Sequence, residues 1–127
     1  MIDYTDIDPN IRLAVELLNL EPGMRTVASC GGHRGKRGRI HVPYNNWMIL
    51  VEFDRDTHGW DALIDMRLIC ETVGIHIRVD PVAFGYLPGD NEIHALLSFT
   101  LYGDYAGLHR LEKYLQETID ESESESA

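Results

Sequence analysis

Hydrophobic positions recur with two different periods along the 127 residues, and the switches between them predict the elements. Ile11, Ala14, Val15 and Leu18 fall at helical spacing behind Asp8-Pro9, a capping carboxylate followed by a residue suited to the first helical turn. They predict an amphipathic helix over 9–20, ended by Glu21-Pro22-Gly23. Residues 24–30 alternate, with Met24, Thr26, Ala28 and Cys30 on one face and Arg25, Val27 and Ser29 on the other. A loop to Gly38 follows, 39–42 re-enters the sheet, and Pro43-Tyr44-Asn45-Asn46 turns the chain. The run 47–53 is almost continuously apolar, as expected of a central strand.

Asp56-Thr57 predicts the start of a second helix over 58–73, with Leu63, Met66, Ile69, Cys70 and Val73 as its core stripe and Gly74 as its C-cap. Ile75, Ile77 and Val79 alternate with His76, Arg78 and Asp80 in a half-buried strand that runs on to Tyr86. Residues 87–91 read as a hairpin connection to a return strand whose Ile93, Ala95, Leu97, Phe99 and Leu101 share a face. After Gly103-Asp104, a last helix buries Leu108, Leu111, Leu115 and Ile119. The expectation is one α+β domain over 1–119, a mainly antiparallel sheet of four to five strands with about three packed helices. The acidic run over 120–127 is expected to be a disordered tail.

Composition narrows the class. Hydrophobic content of 44% and charged content of 25% suit a soluble globular domain, and no apolar run approaches a membrane span. The opening M-I-D-Y-T-D-I-D lacks a signal-peptide pattern, which predicts the cytoplasm and reduced thiols at Cys30 and Cys70, the latter in the core. A net charge of −10 argues against a surface that binds nucleic acid everywhere. Yet Arg34, Lys36, Arg37 and Arg39 fall within six residues, a cationic patch on an acidic body that suits an anionic ligand or an acidic partner.

That patch belongs to the stretch richest in chemistry, R-T-V-A-S-C-G-G-H-R-G-K-R-G-R over 25–39. Paired glycines after a strand let backbone amides converge on an anion, and the following cations supply charge. The candidate ligand-binding residues are therefore Ser29, Cys30, Gly31, Gly32, His33, Arg34, Lys36 and Arg37. The bland alternative is a solvated loop whose cations offset an acidic body. The spacing is neither that of a P-loop nor that of a dinucleotide fingerprint. Cys30 beside His33 and Arg34 has the ingredients of an activated thiolate, but no orienting carboxylate lies in the stretch, and a small buried hydrophobe is the simpler role. Cys30, His33 and His41, with His58 or His76 as a fourth, make a weak zinc pattern without a second C-x-x-C or H-x-x-x-H. Tyr44, Trp47, Tyr86 and Tyr102 are candidates for stacking a base beside the loop, against the commoner role of core filler. His94 and His109 carry no spacing signal and read as surface residues.

Thr26 to His33, T-V-A-S-C-G-G-H, resembles the T-x-S-S-C-S-G-R segment of the wybutosine-synthesis methyltransferases of the TYW-three type. Thr26, Ser29, Cys30 and Gly32 align, and His33 stands where that family has arginine. Trp47-Met-Ile-Leu-Val is similar to its W-L-L-V-S-H strand, with Glu52-Phe53 in place of the end that carries a cofactor-contacting histidine, and 79–84 is similar to its E-P-F strand. The resemblance implies a shared fold and methyl transfer from S-adenosylmethionine to an RNA base. The pattern T-x-x-S-C-x-G-H followed by P-Y also resembles uncharacterised small proteins of phages and plasmids, which implies no activity. A reading of a different class is a non-enzymatic interaction protein of mobile-element origin whose carboxylates imitate a phosphate backbone and block a nucleic-acid-binding partner. Glu112, Glu117, Asp120, Glu121, Glu123 and Glu125 gather at the C-terminal end for that role.

Overall fold

The computed structural model describes residues 7–32, 45–54, 56–86 and 93–126. Helix α1 (Arg12–Leu18) leads into strands β1 (Met24–Cys30) and β2 (Asn46–Phe53), then helix α2 (Thr57–Val73), strands β3 (His76–Tyr86) and β4 (Ile93–Asp104), and helix α3 (Tyr105–Ser126). The four strands form one antiparallel sheet in the order β1-β2-β4-β3. This is the α+β domain that the alternation of periods predicts, with two strand–strand–helix units meeting across the central β2–β4 pair. Among the described residues no helix is long and apolar enough to cross a membrane.

All three helices lie on one side of the sheet. Ile11, Ala14, Val15 and Leu18 of the first segment, Met66 and Cys70 of α2, and Leu108, Leu111 and Leu115 of α3 share one buried cluster with Trp47, Ile49, Val51, Phe99 and Leu101. The residues in between, Met48, Leu50, Thr100 and Tyr102, therefore project from the other side, because successive strand residues point to opposite faces. β2 is central as its apolar run predicts, although Met48 and Leu50 are only half-buried. Cys70 is core as expected, and burial pushes its thiol up to about 12.

Local chemistry explains the element ends. Asp56 accepts from the Gly59 N–H and caps α2, while Gly74 ends it in the left-handed region at φ 77°. α1 is shorter than predicted because residues 9–11 form a turn, with the Ile11 N–H donating to the Asp8 carbonyl. The Asp8 carboxylate is engaged elsewhere, at Gly31. α3 continues to Ser126, through residues whose charge alone predicts a tail; Ile119 is the last of its side chains packed against the core. Glutamate is a good helix former, so a helix nucleated on the packed turns carries on. The connection over 87–92 and the strand expected over 39–42 lie outside the described residues, but β3 and β4 pair antiparallel up to Tyr86 and Ile93.

A small cleft of about 160 Å³ lies between the turn after α1 and the start of α2, lined by Glu21, His58, Asp61 and Asp65 among others. Burial, and then the charge of Asp65, raise the Glu21 carboxyl above its ordinary 4.5. The folded chain thus holds this proton more tightly than the unfolded one, so the contribution to stability is lost as pH rises through the raised value. Glu21→Gln is expected to raise the melting temperature slightly at pH 7 and to make no difference well below pH 4.5. Melts of both proteins across that range check it; a less stable variant at pH 7 refutes the assignment.

Candidate functional site

Strand β1 carries the glycine pair, and its register decides what each residue can reach. Met24, Arg25 and Thr26 pair with Phe53, Glu52 and Val51, but Ala28, Ser29 and Cys30 pair with Leu50, Ile49 and Met48. Val27 is an extra residue, a bulge that reverses the alternation. The single face expected for Met24, Thr26, Ala28 and Cys30 is thereby split. Met24, Thr26 and Ser29 lie on the helix-covered side, and Ala28 and Cys30 on the open one. Cys30 is half-buried beside Met48, not packed in the core with Met24.

Beyond Cys30 the backbone is tied on both sides. The Gly31 N–H donates to Asp8 Oδ2 at 2.8 Å, and its carbonyl accepts from Asn10 Nδ2 at 3.2 Å and from the Tyr105 hydroxyl. Asn10 Nδ2 also donates to that hydroxyl at 2.5 Å. A Cβ on Gly31 would lie 2.2 Å from Asn10 Oδ1, so any other residue there must displace the Asn10 side chain. Gly32 then turns the chain at φ 80°, in the region that favours glycine. The cationic loop thus springs from a fixed base. The Gly31 amide does bind an anion, but that anion is the protein's own Asp8, and an external phosphate at this amide has to displace it. His33, Arg34, Lys36 and Arg37, with His41 and Tyr44, lie outside the described residues.

The open side of the sheet, open in that it bears no helix among the described residues although Glu52, Ser98 and Thr100 on it are buried, gathers residues that sequence spacing does not connect. Arg25, Glu52 and Ser98 make one row across β1, β2 and β4; Ala28, Leu50, Thr100 and Arg78 make the next across all four strands; Cys30, Met48, Tyr102 and His76 make the third. Arg25 bonds Glu52 at 2.5 Å and Asp54 at 2.8 Å, and the bond to Asp54 foremost raises its affinity for the proton. Ser98 is buried, and its hydroxyl has no hydrogen-bond partner among the described residues. In the third row the Tyr102 and His76 rings stack at 5.1 Å with 27° between planes, and Tyr102 is 41% exposed. Trp47, also a stacking candidate, is fully buried and donates from Nε1 to the Asp104 carbonyl at 2.6 Å.

Of the residues in the zinc and thiol patterns, His33, Arg34 and His41 lie outside the described residues. Cys30 is on the open side and His58 starts a helix on the other, while His76 lies at the far strand of the Cys30 row. Among the described residues no three His, Cys, Asp or Glu side chains converge as metal ligands. Thr26 is committed to Asn19, accepting at Oγ1 from Nδ2 at 2.8 Å and donating its N–H to Oδ1 at 2.9 Å. Of the aligned segment, Thr26 and Ser29 thus lie on one side of the sheet and Cys30 on the other. Comparison of the chain with protein-family models, curated proteins and solved structures gives no match.

The Tyr102–His76 row is what sequence reasoning missed as a unit. Its signal was the alternation of His76, Arg78 and Asp80 with apolar neighbours, which announces an uncovered face but not which strand lies beside it.

Proposed function

We propose that the protein binds an anionic ligand, a nucleotide or an RNA segment, at the loop that follows β1. One observation carries the reading: the cation-rich run beyond Gly32 follows a Gly31 tied by Asp8, Asn10 and Tyr105, so its charges are presented from a fixed root on an otherwise acidic chain. His33, Arg34, Lys36 and Arg37 close on the phosphates. The resemblance of 26–33 extends this reading to a methyltransferase acting on RNA.

The experiment is a binding titration of short single-stranded RNA at several salt concentrations. Neutralising about three phosphates makes affinity fall steeply with salt, and replacing Arg34, Lys36 and Arg37 together by alanine removes both affinity and most of the slope. Cys30→Ser leaves affinity unchanged. Binding that ignores both salt and the triple substitution refutes the reading.

A second reading is favoured by the course of α3. Glu117, Asp120 and Glu121 are exposed on one helical stretch, which presents carboxylates at fixed spacing to a nucleic-acid-binding protein. In that case the triple substitution leaves partner binding intact, and neutralising these three carboxylates abolishes it.

A further inference from the structure

We infer that Tyr102, held by His76, stacks a nucleobase on the open side of the sheet, so that the ligand is recognised by a ring as well as by its phosphates. The inference rests on the loop reading above.

Tyr102 lies on a central strand whose Phe99 and Leu101 are fully buried on the helix-covered face, yet Tyr102 is 41% exposed. Its ring is not loose, because His76 stacks on it from the adjacent strand at 5.1 Å. A ring held in place loses little freedom when a ligand covers it. Along the same row lie Met48 and Cys30, and the neighbouring row offers Ala28, Leu50 and Thr100, with Arg78 at its β3 end. Two carboxylates flank the rows along the sheet, and both are engaged: Asp104 accepts from the Gly107 N–H at 2.9 Å, and Glu52 is paired with Arg25.

Position ties these rows to the root of the loop. Cys30 ends the row on β1, and Gly31-Gly32 follow it directly. Tyr102 is two strand spacings away, roughly 10 Å, a span that one or two nucleotides bridge. An antiparallel sheet with helices on one side and an aromatic ring on the other is a general solution for unpaired bases, since every base has a face to stack and stacking needs no particular hydrogen-bond pattern.

Isothermal titration with three probes tests this: tripolyphosphate, which has charge but no base; ATP; and a short single-stranded oligouridylate. Tyr102→Ala is expected to weaken ATP or RNA binding about tenfold or more and to leave tripolyphosphate unchanged, with Tyr102→Phe restoring the loss. Dependence with ATP alone identifies a free nucleotide, and with RNA alone a strand. Tyr102→Trp supplies a second readout, fluorescence quenched by the base-bearing probe and not by tripolyphosphate. Equal weakening of all three probes, or none, in Tyr102→Ala overturns the inference while the loop reading stands. If the wild-type protein binds none of the three, both fall.

Discussion

Replacing Trp47 by alanine is expected to lower the melting temperature by roughly 15 °C, the equivalent of about 4 kcal/mol in a domain of this size. Trp47 is fully buried between the sheet and the helices, with Ile49 and Val51 further along the same face of β2. Opposite it on β4 stands Gly103, so the indole has no cross-strand side chain beside it that can swing in to fill a void. Truncation leaves a cavity and also strands the Asp104 carbonyl, which now accepts from the indole at 2.6 Å just where β4 passes into α3. Trp47→Phe separates the two effects. It keeps most of the volume and loses the hydrogen bond, for an expected loss of about 1–2 kcal/mol. Chemical denaturation of the three proteins checks the order, and a phenylalanine variant as unstable as the alanine one would show that the hydrogen bond dominates.

Trp47 also marks how far residue patterns reach. As an aromatic near a cationic loop it was a candidate for stacking a base, and only the register of β2 shows that it points into the core while Tyr102 points out. The seven elements follow the order that the alternation of periods predicts, because each is an amphipathic unit whose period is written locally. What is not local was not legible. The bulge at Val27 has no glycine or proline to announce it, yet it moves Cys30 from the expected core face to the open one. The order β1-β2-β4-β3, which brings His76 beside Tyr102, is set by how the two hairpins meet, and no short window contains that information.

Asp8 is the sharper case. Followed by proline, it has the sequence of a helix cap, and a cap is the local optimum. The folded chain gives that carboxylate to the Gly31 amide 23 residues away, where it fixes the end of β1. A long-range partner outcompeted the local one, and the N-terminal segment became the support of the candidate site. The two faces of the sheet consequently differ: one buries Trp47, Phe99 and Leu101 under the helices, and the other carries rows of mixed character, with Met48, Leu50, Thr100 and Tyr102, that bear no helix among the described residues.

Gly31→Ala is expected to cost about 3 kcal/mol and to weaken binding at the loop more than its effect on the folded fraction explains. The added methyl would sit 2.2 Å from Asn10 Oδ1, so Asn10 must leave, and with it go the bonds from its amide to the Gly31 carbonyl and the Tyr105 hydroxyl. The clash is with a side chain, which makes it separable from the hydrogen bonds. In Gly31→Ala combined with Asn10→Ala the methyl has room, and the double variant is expected to be more stable than the sum of the two single losses by at least about 1 kcal/mol. Strict additivity would refute the steric account. The same cycle read through RNA binding tests the fixed root: the double variant regains stability without regaining the Asn10 tie. Affinity that stays low there shows that the loop needs the tie itself, whereas full recovery of affinity with stability shows that glycine's task at position 31 is only to leave space.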